Sequence, residues 1–292
     1  MPSNPRSPTI LASYVALVDR QYWRLRPQAM AYFRLLDRVH QWLLPRTYLE
    51  IGVSTGGSLT LSLPGTVNVA VDPEPRIDQP IDPGSAIFAE TSDDFFARHD
   101  LADLLGGLPL DLAFIDGMHH FEFALRDFMN IERRAGAQTT ILVHDCYPID
   151  EVSADRVRCP GKWSGDVWRL IVCLKEWRPD LKISVADVAP TGLGIITGLD
   201  PESKVLEHRY GDLVDRYLRL PYSYLADGDK AVLLNRVPGD WATVRELLPD
   251  RPFRRDSLAP LVTRRALRAA GPAARRGAAR TVRRLRATPA GE

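Results

Sequence analysis

Hydrophobic positions recur along this chain with two different periods. One face of an α-helix near the N-terminus is marked by apolar residues spaced three or four apart: Tyr32, Leu35, Leu36, Val39 and Leu43. We predict two N-terminal helices that are divided near Pro27. The pattern then changes to short apolar runs that end in glycine or an acidic residue: "TYLEIGV", "VNVAVD", "SAIFAE", "LDLAFID", "TTILVHD", "KISVADV" and "LGIIT".

Segments with helical periodicity lie between these apolar runs, among them "DDFFARHDLADLL", "FEFALRDFMNIERR" and "DVWRLIVCLKEW". Nearly continuous apolar strands that alternate with helices indicate an α/β fold, in which a mostly parallel sheet is covered on both faces. In such a sheet, ligands bind beyond the carboxyl ends of the strands, where the strand order reverses. The polar residues at the strand ends are therefore the candidate site residues.

Charge is unevenly distributed along the 292 residues. The stretch 264–286 is free of acids and has nine arginines, and removing their charge from the formal net charge of +1 leaves −8 for the rest. A mildly acidic body with scattered tryptophans does not indicate a nucleic-acid groove, and "TILASYVALV" is too short to span a membrane. Three cysteines without C-x-x-C spacing favour a reducing cytoplasm over secretion.

A glycine-rich turn follows the first predicted strand in "LEIGVSTGGSL". Gly52, Gly56 and Gly57 would allow the backbone to turn sharply and to approach a ligand closely, and Ser54 is a further candidate contact of the cofactor. The spacing is not G-x-G-x-x-G, however, and Glu50 lies two residues before the first glycine. Because a carboxylate here would repel a phosphate, the turn suits a ligand that has positive charge. A simple tight turn is the structural alternative.

Polar residues also end the next two predicted strands. Asp72 follows "VNVAV", where a carboxylate can accept hydrogen bonds from both hydroxyls of a ribose. The segment "FAETSDD" then offers Glu90, Thr91 and Ser92 as contacts for an adenine edge. Each residue alone is weak evidence, since a strand-terminal Asp is often only a helix N-cap. Their combination with Glu50 and the glycines is more specific.

From these residues the chain resembles the class I S-adenosylmethionine-dependent methyltransferases, with "LEIGVSTGGS" similar to their first motif and "VAVD" to their second. The resemblance covers about residues 47–197. It implies a Rossmann-like, doubly wound, seven-stranded sheet whose last strand is antiparallel. It also implies that Glu50 and Gly52 flank the methionine part of the cofactor, that Asp72 contacts the ribose and that Ser92 lies near the adenine, with Asp116 also bordering the cofactor.

Two carboxylates end strands that this architecture makes adjacent, Asp116 in "LAFID" and Asp145 in "ILVHD". Carboxylates that lie side by side repel each other unless a cation or a proton lies between them. A divalent cation with oxygen ligands, Mg²⁺ first, would relieve that repulsion. His119 and His144 are close by in the chain and are candidate bases, because a neutral imidazole can accept a proton near physiological pH. The structural alternative is a turn at Asp116 with His119 capping the next helix.

The segments "FIDGMHHFE" and "LVHD" narrow the resemblance to the metal-assisted O-methyltransferases of the macrocin-O-methyltransferase type, which act on sugar hydroxyls. His119 stands three residues after Asp116, where the sugar enzymes have a histidine base, whereas Met118 departs from the commoner "DGDH" form. The resemblance leaves the third protein ligand of the metal unassigned. It also suggests that Asp166 and Trp168, in "SGDVWRL", border the substrate.

These observations predict four parts of the chain: an N-terminal helical lid (1–45), a cofactor-binding core (46–199), a sheet extension or lid (200–263) and an Arg-rich helical tail (264–292). The predicted function is O-methylation of a small saccharide or glycosylated acceptor, in its most specific form the 1-hydroxyl of a methylated mannoside. We expect a cytoplasmic homodimer without nucleic-acid partners. The alternatives are an aromatic or macrolide acceptor and an RNA-binding methyltransferase that uses the tail, whereas Glu50 and the glycine spacing disfavour an NAD-dependent oxidoreductase.

Overall fold

The computed structural model describes residues 31–250, and the structural statements below concern this range. It contains one eight-stranded sheet, built from β1 (Thr47–Ile51), β2 (Val67–Val71), β3 (Ala86–Phe88), β4 (Leu110–Ile115), β5 (Ala135–His144), β6 (Lys182–Asp187), β7 (Leu193–Thr197) and β8 (Arg236–Pro238). The α-helices are α1 (Ala31–Leu43), α2 (Ser92–Arg98), α3 (Leu101–Leu104), α4 (Phe121–Glu132), α5 (Trp168–Trp177), α6 (Val205–His208), α7 (Tyr210–Leu218), α8 (Ser223–Ala226), α9 (Lys230–Leu233) and α10 (Trp241–Leu247).

The strands are arranged in the order β3-β2-β1-β4-β5-β7-β6-β8. Only β7 runs antiparallel to its neighbours β5 and β6. The chain order reverses between β1 and β4, so the carboxyl ends of these two strands form the switch point at which α/β sheets bind ligands. The predicted Rossmann-like, doubly wound α/β fold is thus confirmed. The sheet has one strand more than the seven expected, because the short β8 pairs with the outer edge of β6.

Helices cover both faces of the sheet. On one face, the predicted apolar stripe of α1 is buried, with Leu36 and Val39 no more than 1% exposed, and it packs on Tyr48 of β1. On the other face, α4 and α5 pack against the alternate residues of the same strands. Neighbouring strand residues point to opposite faces, and each face has its own core, which explains why the central strands are apolar throughout.

Two predicted segments are divided in the structure. The segment "DDFFARHDLADLL", predicted as helical, is divided between α2 and α3. The second of these begins where Asp100 caps it by accepting a hydrogen bond from the N–H of Ala102. In the predicted sheet extension or lid (200–263), Lys230–Leu233 form α9 and β8 begins at Arg236. The first of the two expected N-terminal helices and the Arg-rich tail lie outside the described residues. Within residues 31–250, no helix has the length and apolar character that crossing a membrane requires.

Candidate active site

The ends of three strands meet at Gly52. Its N–H donates to the Val71 carbonyl at 2.9 Å, and the Asp116 N–H donates to the Ile51 carbonyl at 2.8 Å. Gly52 has a φ of +88°, and a Cβ placed there would lie 2.0 Å from the carbonyl oxygen of Asp116. Only glycine tolerates both the left-handed backbone and this close approach. The predicted glycine turn therefore brings β1 directly against the end of β4.

Glu50 lies underneath this turn and is fully buried. Its two carboxylate oxygens accept hydrogen bonds from the hydroxyls of Tyr48 and Ser58. Burial raises the pKa of Glu50 to about 8, although both hydroxyls act in the opposite direction. Glu50 contacts the glycine turn through Ser58, a residue that the sequence analysis did not single out. Glu50 thus supports the loop from below, and a direct contact with a cofactor stays a prediction.

Asp72 fastens the end of β2 to the same turn. Its carboxylate accepts hydrogen bonds from the N–H groups of Ser54 at 2.8 Å and Glu74 at 2.7 Å. The connection after β2 folds back on the turn, since the Arg76 N–H donates to the Ser54 carbonyl at 2.9 Å. Gly56 has a φ of +84° and contacts this connection. The structure therefore brings Gly52, Ser54, Gly56 and Asp72 together at one edge of the sheet, as the cofactor prediction requires.

The polar residues after β3 have partners within the protein. Glu90 accepts a hydrogen bond from Arg98 at 3.1 Å, and one of its oxygens lies 2.7 Å from Nε2 of His99. Thr91 is the N-cap of α2, where its hydroxyl accepts from the N–H of Asp94. Ser92 begins that helix. Glu90 and Thr91 thus organise the start of α2, and an additional contact with an adenine stays a prediction for all three residues.

Four side chains converge beyond the carboxyl ends of β4 and β5, which are parallel neighbours. We call them the acid–imidazole cluster: Asp116, His119, His144 and Asp145. His119 Nδ1 lies 2.9 Å from Asp145 Oδ2, and its Nε2 lies 3.4 Å from Asp116 Oδ1. His144 Nδ1 lies 3.2 Å from Asp116 Oδ1 and 3.2 Å from Asp145 Oδ2. Each of the two imidazoles predicted as bases therefore contacts both of the carboxylates predicted as metal ligands.

Backbone geometry at the cluster is unusual for residues other than glycine. His119 has a φ of +59° and Asp145 a φ of +62°. Such left-handed conformations are costly and persist where the surrounding structure holds them in place. At His119 this support comes from Gly165, whose absent side chain leaves room for the His119 carbonyl oxygen. At Asp145 it comes from the Thr191 hydroxyl, which donates to Oδ1 of the carboxylate.

The charges of the cluster compensate one another. For both carboxyls burial favours the neutral form, but the neighbouring imidazoles hold the pKa of Asp116 and of Asp145 below the usual range. For both histidines burial lowers the pKa, yet the two carboxylates outweigh it and raise the pKa of His119 and of His144 to about 10. Without a cation, the cluster at neutral pH therefore consists of two imidazolium ions and two carboxylates.

Donor atoms of the cluster fit a divalent cation. Among the described residues, Asp145 Oδ2, His144 Nε2 and His119 Nδ1 are buried without a partner in hydrogen-bond geometry. Asp116, His144 and Asp145 each offer one ligand atom, and these atoms lie within 4.8 Å of one another. Two carboxylates suit Mg²⁺, and an imidazole nitrogen extends the choice to Mn²⁺ or Zn²⁺. His144, which the sequence indicated only as a base, thus has the position of a third ligand.

Two aromatic rings cover the histidines of the cluster. Tyr32 of α1 stacks on His144 with 4.0 Å between the ring centroids. Trp163 lies parallel to His119, with 4.9 Å between the centroids and 6° between the planes. Neither contact was predicted, because no spacing in the sequence relates residues 32 and 163 to the two strand ends. They are properties of the tertiary structure alone.

Asp166 and Trp168 do not border an open site. Asp166 is fully buried, where it accepts a hydrogen bond from the Phe121 N–H at 2.7 Å and pairs with Arg156 at 2.7 Å. Trp168 is 1% exposed and packs in the core. Their burial gives no support to the suggestion that both residues border the substrate, which stays a prediction. Asp166 instead holds the start of α4, which follows the cluster residue His119.

Asp127 of α4 is a buried acid that the sequence analysis missed. It is 3% exposed, and its Oδ1 has no hydrogen-bond partner within the described residues. Burial raises its pKa to about 7, although the Ser92 hydroxyl acts in the opposite direction. Asp127, Asp116, His119 and Asp145 help to line a cavity of about 10 Å³, roughly the space of one water molecule. An acid within the apolar stripe of a helix was the available sequence signal.

Residues 49–146 match the family model of a methyltransferase domain. Curated proteins include no significant match to this chain.

Solved structures of similar fold include several O-methyltransferases. One from Bacillus cereus in complex with SAH is 13% identical, with a TM-score of 0.43 over 63% of this chain and 90% of that one. TomG from Streptomyces achromogenes, in complex with SAM, is 16% identical, with a TM-score of 0.44 over 64% and 89% of the two chains. The SAH-bound methyltransferase PaMTH1 from Podospora anserina is 13% identical, with a TM-score of 0.43 over 68% and 98%.

Proposed function

We propose that this protein transfers a methyl group from S-adenosylmethionine to a hydroxyl group, with the acid–imidazole cluster activating that hydroxyl. The observation that carries the proposal is the convergence of Asp116, His119, His144 and Asp145 at the switch point of a methyltransferase fold. A cluster of two carboxylates and two imidazoles suits the deprotonation of a weak oxygen nucleophile. A turn that only binds a ligand would not need such a cluster.

The cofactor would lie on the β1–β2 side of the cluster. The glycine turn at Gly52 and Gly56 brings backbone close to this place, and Asp72 stands beside it with a partly exposed carboxylate. One carboxylate can accept both ribose hydroxyls while it keeps its two backbone hydrogen bonds, because each oxygen has two lone pairs. The methyl group would then point towards Asp116, whose backbone lies against Gly52.

A divalent cation would be held by Asp116, His144 and Asp145, and when bound it lowers the pKa of a coordinated hydroxyl. His144 is the less accessible histidine, with 7% of its side chain exposed against 22% for His119. We therefore assign the ligand role to His144 and the base role to His119. Neutralising the two carboxylates would also bring the pKa of His119 down from about 10, so that the imidazole could accept the acceptor's proton at neutral pH.

We further propose that the acceptor is a saccharide or a glycosylated compound, with the 1-hydroxyl of a methylated mannoside as its most specific form. Its support is the sequence pattern around Asp116 and His119, which is similar to that of the sugar O-methyltransferases. A ring of another kind, such as a catechol, is the second candidate. The half-buried Trp163 beside His119 is the observation that keeps this candidate, since an indole stacks on aromatic rings.

The test is a methyl-transfer assay with labelled S-adenosylmethionine and a panel of mannose, methylmannose and catechol acceptors. Each acceptor is used with added Mg²⁺ or Mn²⁺ and after treatment with EDTA. We expect that EDTA abolishes turnover and that the added cation restores it. We also expect Asp145→Asn to reduce turnover at least a hundredfold. A matched control is Asp215→Asn, which replaces an exposed aspartate on α7. Full turnover after rigorous chelation would contradict the cation's part, and failure to bind S-adenosylhomocysteine would contradict the reaction itself.

A further inference from the structure

The connection between β5 and α5 includes the segment 146–165, which we call the acceptor loop. It has no helix or strand, yet it is tightly ordered around the buried Ser153. The Ser153 hydroxyl accepts hydrogen bonds from the N–H groups of Ile149 and Asp150 at 3.0 and 2.9 Å. Its carbonyl accepts from the N–H of Ser164 at 2.9 Å. Ordered connections of this length inside a compact domain usually have a binding or catalytic role.

Side-chain contacts fasten the acceptor loop to the segment that follows His119. Arg156 forms an ion pair with Glu122 at 2.6 Å, and its carbonyl oxygen lies 3.0 Å from Nε2 of His120. The absent side chain of Gly165 allows the loop to pass directly over the His119 carbonyl. The loop and the cluster therefore form one continuous surface, and a molecule that reaches His119 also approaches the loop.

Trp163 is the loop residue in contact with the candidate base. Its ring is parallel to the His119 imidazole at 4.9 Å, and its Nε1–H donates to the Asp155 carbonyl at 2.6 Å. This hydrogen bond fixes the plane of the indole. The ring is only partly buried, so it remains accessible beside His119. An acceptor hydroxyl within reach of His119 would place the ring that bears it against the indole.

The acceptor loop is rich in exposed apolar side chains, although the guanidinium carbon of Arg158 also lies 5.8 Å from the centroid of the Trp163 ring. On the acceptor loop, Ile149 is 50%, Val152 65% and Val157 76% exposed, and Met118, next to His119, is 57% exposed. These four are a majority of the seven large hydrophobic side chains that are exposed within residues 31–250. Exposed apolar side chains concentrated beside a site indicate a ligand with an apolar face.

We infer that Trp163 determines acceptor specificity by stacking on an apolar ring face of the acceptor. This inference rests on the proposed methyl transfer and identifies what the acceptor must offer: a hydroxyl on a ring with a C–H face or a π face. A pyranose and an aromatic ring share this chemistry. The loop side of the cluster thus recognises the acceptor, whereas the glycine-turn side is left to the cofactor.

The experiment compares Trp163→Ala and Trp163→Phe with the control Trp241→Phe, a tryptophan on α10 that packs against Trp42. The probes are p-nitrophenyl α-mannoside and catechol, in the full chain with Mg²⁺. We measure methyl-transfer kinetics and, independently of turnover, the calorimetric affinity for each probe and for S-adenosylhomocysteine. We expect Trp163→Ala to weaken acceptor binding and raise the acceptor KM about tenfold, Trp163→Phe to retain most of both, and the control to change neither.

The affinity for S-adenosylhomocysteine separates the possible failures. If the wild type binds it and transfers methyl groups but Trp163→Ala leaves the acceptor KM and probe affinity unchanged, the inference is overturned and the proposed function stands. A loss of kcat alone would likewise overturn it, because Trp163 would then only orient His119. A wild type that binds neither ring also overturns it. If S-adenosylhomocysteine does not bind, the proposed function fails, and the probe affinities still decide whether Trp163 is a ring platform.

Discussion

Tyr32 lies face to face with His144, with 4.0 Å between the two ring centroids. The tyrosine is 4% exposed and belongs to α1, whereas the histidine ends β5. An element outside the alternating β/α core thus covers one imidazole of the cluster. Replacing a residue that orients a metal ligand commonly lowers the affinity for the metal about 10- to 100-fold.

Tyr32→Ala should therefore weaken the binding of Mn²⁺ at least tenfold, because His144 loses the ring that fixes its plane. Tyr32→Phe keeps a stacked ring and should retain most of the affinity. Titration calorimetry with Mn²⁺ measures both. Equal Mn²⁺ affinity in the alanine variant and the wild type would show that α1 does not support the ligand.

Cation binding should release protons from the cluster. The pKa values of His119 and His144 are about 10, so both imidazoles bear a proton at pH 7 that a cation at Asp116, His144 and Asp145 would displace. The apparent affinity for Mn²⁺ should rise as the pH is raised from 6 to 9. Calorimetry in buffers of different ionisation enthalpy counts the protons released. Binding that is independent of both pH and buffer would argue against a site on these residues.

Glu50 should make the folded state less stable as the pH rises. Its pKa increases from the ordinary value of 4.5 to about 8 on folding, so between these values the folded chain retains a proton that the unfolded chain has lost. The free energy of unfolding should fall over this range, for this residue by an amount on the order of 4 kcal/mol. Glu50→Gln should remove that share of the pH dependence.

Urea unfolding at pH 5 and pH 8 measures the effect of Glu50. Glu74→Gln is the matched control, since the Glu74 side chain is 75% exposed. The buried Asp127 adds to the pH dependence in the same direction and is present in every variant, so the difference between wild type and Glu50→Gln isolates Glu50. The same pH slope in both proteins would mean that Glu50 is ionised in the folded state.

Gly52→Ala should distort the contact between β1 and β4. The new Cβ would lie 2.0 Å from the Asp116 carbonyl oxygen, and Asp116 bears one of the cluster carboxylates. Gly65→Ala is a close control because Gly65 has a φ of +81° but nothing within 4 Å of an added Cβ. In the control, the free energy of unfolding should fall only by the roughly 1 kcal/mol that a left-handed backbone costs a residue other than glycine. In Gly52→Ala it should fall by about 3 kcal/mol or more, and Mn²⁺ binding should be lost.

Chemical denaturation and Mn²⁺ calorimetry on the two glycine variants separate strain from steric contact. If both variants lose similar stability and both still bind Mn²⁺, the close approach at Gly52 does not determine the cluster geometry.

The sequence by itself determined the elements and the places where they end. The apolar runs predict β1 to β7 because strands covered on both faces must be apolar throughout, and a helical stripe predicts α1 because one face of that helix is buried. The strand ends in turn indicated Gly52, Asp72, Asp116 and Asp145. These signals are local, since each depends on residues that are neighbours in the chain.

Only the tertiary structure decided how the side chains meet. It placed Glu50 under the glycine turn, brought His144 next to Asp116 and Asp145, buried Trp168 and placed Trp163 on His119. Such contacts join residues far apart in the chain, and their geometry depends on the pairing of β4 with β5 and on left-handed backbone at His119 and Asp145. A linear pattern records which residues are available, whereas the direction in which each side chain points is set by packing against the rest of the fold.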